Sequence, residues 1–98
     1  MYLSFMTSYN GTCLVDDYNN ESTINDFNLP NKIIEKINDW NEKYSKIIPM
    51  SEDDRQIHNS EIEELDSEGI KICIDIKNAF SEEIKIRYFS EGKLKYLT

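Results

Sequence analysis

The chain has 98 residues, 39% of them hydrophobic and 11% aromatic, enough for one modest core and a domain expected to span residues 1–98. Nineteen Asp and Glu against eleven Lys and Arg leave a net charge of −8, which repels nucleic acid and anionic membranes and draws in basic partners. Met1–Phe5 lacks the basic start and apolar run of a signal peptide, and no stretch is apolar for long enough to span a bilayer. A cytoplasmic protein with no direct nucleic-acid or membrane partner is therefore expected.

Met1 to Tyr9 is rich in aromatic and β-compatible residues and reads as a strand. Leu3 and Phe5 fall on one face and Tyr2 and Met6 on the other, so both faces are expected to be partly covered. Asn10-Gly11 is the sequence of a type I′ turn, since both residues tolerate positive φ, and Thr12 to Val15 then returns as a second strand. Asp16 to Asn28 is a long polar connection, pinned by Tyr18, Ile24 and Phe27, and of a length that usually carries binding or is itself ordered.

Leu29-Pro30 opens a helix, because proline suits the first turn, where an amide has no partner to lose. Ile33, Ile37, Trp40, Tyr44 and Ile47 follow at steps of four and three, a continuous apolar stripe that Ile34 widens and Trp40 anchors. Pro49 ends it. Met50 to Asn59 is nearly free of apolar residues and reads as a solvated linker.

A second helix is expected from Ser60 to about Phe80, with Ile62, Leu65, Gly69, Ile72, Ile76 and Ala79 on one side. Ser60 and Glu63 have the spacing of a capping box at its start. Gly69 in its interior costs about 1 kcal/mol relative to alanine. That cost implies a close approach by the first helix or the sheet. Ile84 to Tyr88 alternates apolar and basic residues as a half-buried strand does, and Ser90-Glu91-Gly92 forms a turn with Gly92 left-handed. Lys93 to Tyr96 alternates again and closes a second hairpin. The order is ββααββ, an α+β fold with a mostly antiparallel sheet and two long helices packed on one face.

Little here suggests a reaction. The lone histidine, His58, lies in the polar linker, with no cysteine or serine spaced to act as its nucleophile. Cys13 and Cys73 are too far from each other and from His58 to show paired zinc-ligand spacing, and are expected to be buried thiols. The runs Asp16-Asp17 and Glu52 to Asp54 lack the alternating ligands and central glycine of a calcium loop, and the three glycines stand alone rather than in a phosphate loop. No catalytic residue, cofactor or metal ligand is assigned. The charge layout is more informative. Residues 51–68 hold eight acids and one base, Arg55, whereas residues 84–98 hold four bases and one acid. Helix dipoles favour acids only in the first turn, and Asp66 and Glu68 lie beyond it. Glu61, Glu64 and Glu68 share one side of the helix, with Asp54 and Glu63 flanking them, and these five are the candidate partner-binding residues.

The run Glu64-Leu65-Asp66-Ser67-Glu68-Gly69-Ile70-Lys71-Ile72, followed by Ile84-Lys85-Ile86-Arg87-Tyr88, resembles a group of small acidic bacterial proteins. In these a Glu-Gly step inside a long helix precedes a strand ending in tyrosine. The Leu29-Pro30 opening, Trp40-Asn41 and Tyr44 fit the same pattern, so the resemblance covers roughly residues 29–96. Proteins of this kind resemble the immunity proteins of polymorphic toxin systems, including contact-dependent growth inhibition. The resemblance implies a non-enzymatic inhibitor, a monomer when free, that forms a heterodimer with one cognate toxin domain. That domain is often a nuclease, and a basic one suits an acidic partner. Such groups diverge at their binding surfaces, so no binding residue transfers by motif. A protein-interaction or adaptor subunit unrelated to toxins is the alternative, and the neighbouring gene discriminates between the two.

Overall fold

The computed structural model describes residues 1–18 and 27–98. Four strands, β1 (Tyr2–Phe5), β2 (Leu14–Asp16), β3 (Lys85–Ser90) and β4 (Lys95–Tyr96), form one sheet in the order β2-β1-β3-β4. Two long helices, α1 (Asn31–Tyr44) and α3 (Asn59–Ala79), cover one face of it, and a short α2 (Glu52–Ile57) precedes α3. The fold is α+β. β1–β2 and β3–β4 are antiparallel hairpins, and they join through a parallel β1–β3 pair at the centre. A parallel pair needs a crossover, and the helical layer supplies it.

Register places the core. Leu3 sits opposite Ile86, Phe5 opposite both Tyr88 and Leu14, so these side chains share the helix-covered face. A slip of one residue would turn all of them outward. Cross-links between α1 and α3 run in opposite senses, Lys36 to Asp75 and Lys43 to Glu68, so the helices are antiparallel. Trp40 is at the centre, fully buried, stacked on Phe5 at 4.7 Å and edge-on to Tyr44 at 5.3 Å. Its indole N–H donates to the Leu65 carbonyl at 2.8 Å, which ties α1 to α3. The apolar stripe of α1 holds as expected and runs on through a 3-10 turn, Ser45–Ile47. On α3, Ile62, Leu65, Gly69, Ile72 and Ile76 are buried, while Ala79 is exposed.

Several local expectations need correction. The strands are shorter than the sequence suggests, because Met6 to Cys13 forms a loop rather than a two-residue turn. Gly11 alone takes positive φ (79°), and Asn10 instead uses its side-chain oxygen to accept from the Thr12 amide at 2.9 Å. The Thr7–Ser8 part of this loop is pinned from α1. Asn41 accepts from Thr7 Oγ1 at 2.6 Å and from the Ser8 amide at 2.9 Å, and donates to the Ser8 carbonyl at 2.9 Å. Pro30 is the N-cap of α1 rather than its first helical residue.

The Met50–Asn59 linker contains α2, which Ser51 caps by accepting from the Asp54 amide at 3.2 Å. Three acids in its first turn favour it through the helix dipole. Ser60 caps nothing: α3 starts at Asn59 from His58, without a side-chain cap. In the β3–β4 turn the left-handed residue is Leu94 (φ 54°), not Gly92. Gly92 is required for space, since a Cβ there would lie 3.1 Å from Ile62 Cδ1 and closer still to Cγ2. The Asp16–Asn28 connection, including Ile24, lies largely outside the described residues. At its ends Tyr18 is exposed and Phe27 packs edge-on to Phe80 at 6.5 Å.

Candidate functional site

Asp66 counts among the acids of α3, yet it is only 3% exposed. Its carboxylate faces the sheet and accepts three hydroxyl hydrogen bonds, from Tyr44 and Tyr88 on Oδ1 and from Ser90 on Oδ2, each 2.7 Å. The Tyr44 hydroxyl in turn accepts the Gly92 amide at 3.0 Å, and Ser90 Oγ accepts the Lys93 amide at 3.1 Å. One buried charge thus joins α1, α3, β3 and the β3–β4 turn. Burial, followed by the bond to the Asp66 carboxylate, pushes the Tyr44 hydroxyl up to about 12 and the Tyr88 hydroxyl upward too. Both phenols therefore stay protonated, as donors to that carboxylate must.

Gly69 belongs to the same cluster. A Cβ there would lie 2.7 Å from both Tyr88 Cζ and its oxygen, so the approach expected at this glycine is that of the sheet. The Glu68-Gly69 step and the tyrosine closing Ile84 to Tyr88 are two halves of one contact.

The five candidate partner-binding residues separate by environment. Glu61, Glu63, Glu64 and Asp54 are exposed, whereas Glu68 is half-buried. Glu68 is tied to Lys43 Nζ at 3.0 Å, and Glu61 lies 3.2 Å from His58 Nδ1. Among the described residues Asp54, Glu63 and Glu64 have no cation within ion-pair distance. The acidic face is therefore concentrated on α2 and the first turns of α3, with Glu68 engaged by Lys43 in a surface ion pair between α1 and α3. Among the described residues, the His58 ring hydrogen-bonds to no side chain but the Glu61 carboxylate. Cys13 and Cys73 are free and buried, and burial pushes each thiol up to about 12. No cluster of three or more His, Cys, Asp or Glu suited to a metal occurs among the described residues. None of their helices is long and apolar enough to cross a membrane.

The sheet face turned away from the helices was missed in the sequence. Arg87 lies 4.3 Å over the Tyr96 ring and reaches Ser4 Oγ at 3.3 Å and Asp17 Oδ2 at 3.5 Å. Ser4 donates to Asp17 at 2.7 Å, which seals it beneath that pair and explains its burial on this otherwise open side. The alternation of β3 announced these outward positions, but the parallel pairing that groups them was not readable.

Comparison with known families gives the class: an immunity protein of contact-dependent growth inhibition. The chain belongs to the family described as Serratia CdiI immunity protein-like, whose model matches residues 2–91. That match takes in the N-terminal hairpin, which the motif resemblance over roughly 29–96 did not reach, and stops before β4. No curated protein and no solved structure was found to match.

Proposed function

We propose that the chain neutralises its cognate toxin domain by binding it through the acidic face of α2 and early α3 and occluding its active or substrate-binding site. The partner is a basic domain, a nuclease whose cleft must hold a polyanion. The inhibitor acts in the cytoplasm without catalysis, as a monomer that forms a heterodimer with the toxin. The observation that carries this reading is the set Asp54, Glu61, Glu63 and Glu64. These are exposed acids, on a molecule of net charge −8, mostly without internal cations among the described residues. Such a surface steers a basic partner and speeds its association. Glu68 contributes less, because Lys43 already neutralises it.

The test is protection in cells that express the toxin domain encoded next to this chain. Replacing Glu61, Glu63 and Glu64 together by lysine should leave the fold intact, since exposed substitutions cost under about 0.5 kcal/mol each, and should remove protection. A folded triple variant that protects as well as the parent moves the binding surface elsewhere. An unrelated neighbouring gene, with no toxin to bind, would favour an adaptor role instead.

A further inference from the structure

The sequence holds a single Asn-Gly step, Asn10-Gly11, and the fold does not spend it on a tight hairpin turn. An asparagine side chain carries an electrophilic amide carbon within reach of the next residue's backbone nitrogen, which can close a five-membered ring on it. Glycine in that next position leaves the approach unhindered, because it has no Cβ. In a type I′ turn both residues would be locked at positive φ by the flanking ladder. Here only Gly11 takes positive φ, and Asn10 stands exposed in the loop between β1 and β2.

Each reacting group is placed for that ring closure. The nucleophile is the Gly11 amide nitrogen. Its N–H meets the Ser8 carbonyl at 3.5 Å, beyond the usual range of such bonds, so little is lost when its proton leaves. Nothing shields this residue: no heavy atom lies within 4 Å of where a Gly11 Cβ would stand. The electrophile is Cγ of Asn10. Its Oδ1 accepts from the Thr12 amide at 2.9 Å and from Ser8 Oγ, and both donors face the oxygen on which charge develops as the nitrogen adds. The Thr12 bond spans the Gly11 peptide, so the side chain is folded back along its own main chain. Ser8 is itself fixed, since Asn41 on α1 holds its amide and its carbonyl at 2.9 Å each. The hydrogen bonds of Asn10 among the described residues run to Oδ1 and to its backbone amide, which leaves Nδ2 free to depart.

We propose that Asn10-Gly11 is a site of spontaneous covalent modification, at which the folded protein passes through a cyclic imide to aspartate and isoaspartate. Hydroxide removes the Gly11 amide proton, and the nitrogen's electron pair forms a bond to Asn10 Cγ. The Cγ–Nδ2 bond breaks, and that nitrogen takes a proton from water and leaves as ammonia. Water then opens the imide at either carbonyl. Opening at Cγ gives aspartate, and opening at the original peptide carbonyl gives isoaspartate, whose main chain runs through Cβ and Cγ. The net reaction consumes water and releases ammonia, with no oxidant or reductant. Either product adds one negative charge to the net −8. Aspartate can keep the bonds from Ser8 and Thr12, whereas isoaspartate lengthens the loop and removes the side chain that accepted from Thr12.

The test is incubation of the folded protein in mildly alkaline buffer made with water carrying a heavy oxygen isotope. Peptide mapping by mass spectrometry then locates the label, and enzymatic methylation reports isoaspartate. Position 10 should take up label progressively, and faster as pH rises, while Asn59, followed by a serine within α3, stays intact. Asn10→Gln, whose longer side chain must close a less favourable six-membered ring, should all but abolish the uptake. Ser8→Ala, which removes a donor at Oδ1 and keeps the backbone contacts to Asn41, should slow it several-fold. Trp40 fluorescence checks that each variant stays folded. An Asn10 that stays intact in the folded protein while the guanidinium-unfolded chain converts would show that the loop protects it, and would overturn the proposal. Label entering Asn59 as fast as Asn10, or Ser8→Ala converting as fast as the parent, would also overturn it.

Discussion

Removing the Asp66 carboxylate tests how the interior is held together. Asp66→Ala leaves the hydroxyls of Tyr44, Tyr88 and Ser90, each now 2.7 Å from a carboxylate oxygen, without their common acceptor. Hydrogen bonds to a charged group contribute about 1.5–3 kcal/mol each, but burying the charge itself opposes folding. Three buried hydroxyls left without that acceptor cost about 1–3 kcal/mol each, while the desolvation of the charge no longer opposes folding, so a net loss of about 2–4 kcal/mol is expected. Asp66→Asn should cost only about 1–2 kcal/mol. Its Oδ1 can still accept from both tyrosines, and its amide can donate to Ser90 Oγ, which has a lone pair to spare. Urea unfolding followed by Trp40 fluorescence reads the effect directly. Trp40 is the one tryptophan, and its indole bonds to the residue before Asp66. A loss below about 1 kcal/mol for alanine, or equal losses for both variants, would refute the reasoning.

Gly69→Ala gains about 1 kcal/mol of helix propensity, yet its new methyl meets the Tyr88 ring, whose hydroxyl Asp66 holds in place. A net loss of about 1–3 kcal/mol is expected by the same urea assay. Asn41→Ala releases the Thr7–Ser8 loop from α1 and should cost about 1–3 kcal/mol, with hydrogen exchange accelerated at Ser8. Stability should also fall in alkali. Burial raises the thiols of Cys13 and Cys73 from 9.0, and the Tyr44 hydroxyl from 10.0, to about 12 when folded, and raises Tyr88 as well. The unfolded chain therefore loses these protons first, so their contribution is full below pH 9 and lost progressively towards pH 12, as urea melts across that range should show. Both thiols should stay unreactive to a thiol reagent at neutral pH until the protein unfolds.

How much was readable followed the range of the interactions. The stripes of α1 and α3 were legible because helical periodicity is local, and Trp40 and Gly69 took the roles their positions implied. The parallel β1–β3 pairing was not, since nothing near Leu3 in sequence specifies Ile86 as its neighbour. Asp66 looked like one more surface acid because its hydroxyl partners lie 22 to 24 residues away in either direction. The residues behind the family resemblance, Leu65-Asp66, Gly69, Tyr44, Trp40 and Tyr88, prove to be this buried cluster and its supports. They specify the fold, not the toxin. The acidic face was visible as composition, but the pairing of Lys43 with Glu68 depends on a contact between elements. The Met50–Asn59 segment was misread because α2 buries none of its residues, which leaves a pattern-based reading nothing to detect.

The most direct test of the proposed mechanism is stopped-flow association of the chain with its cognate toxin domain across a series of salt concentrations. Steering by the acids of α2 and early α3 predicts a rate constant that falls steeply as salt rises, and a shallower dependence when Glu61, Glu63 and Glu64 are replaced by lysine. An association rate insensitive to salt, and equal for the parent and the folded triple variant, would contradict it.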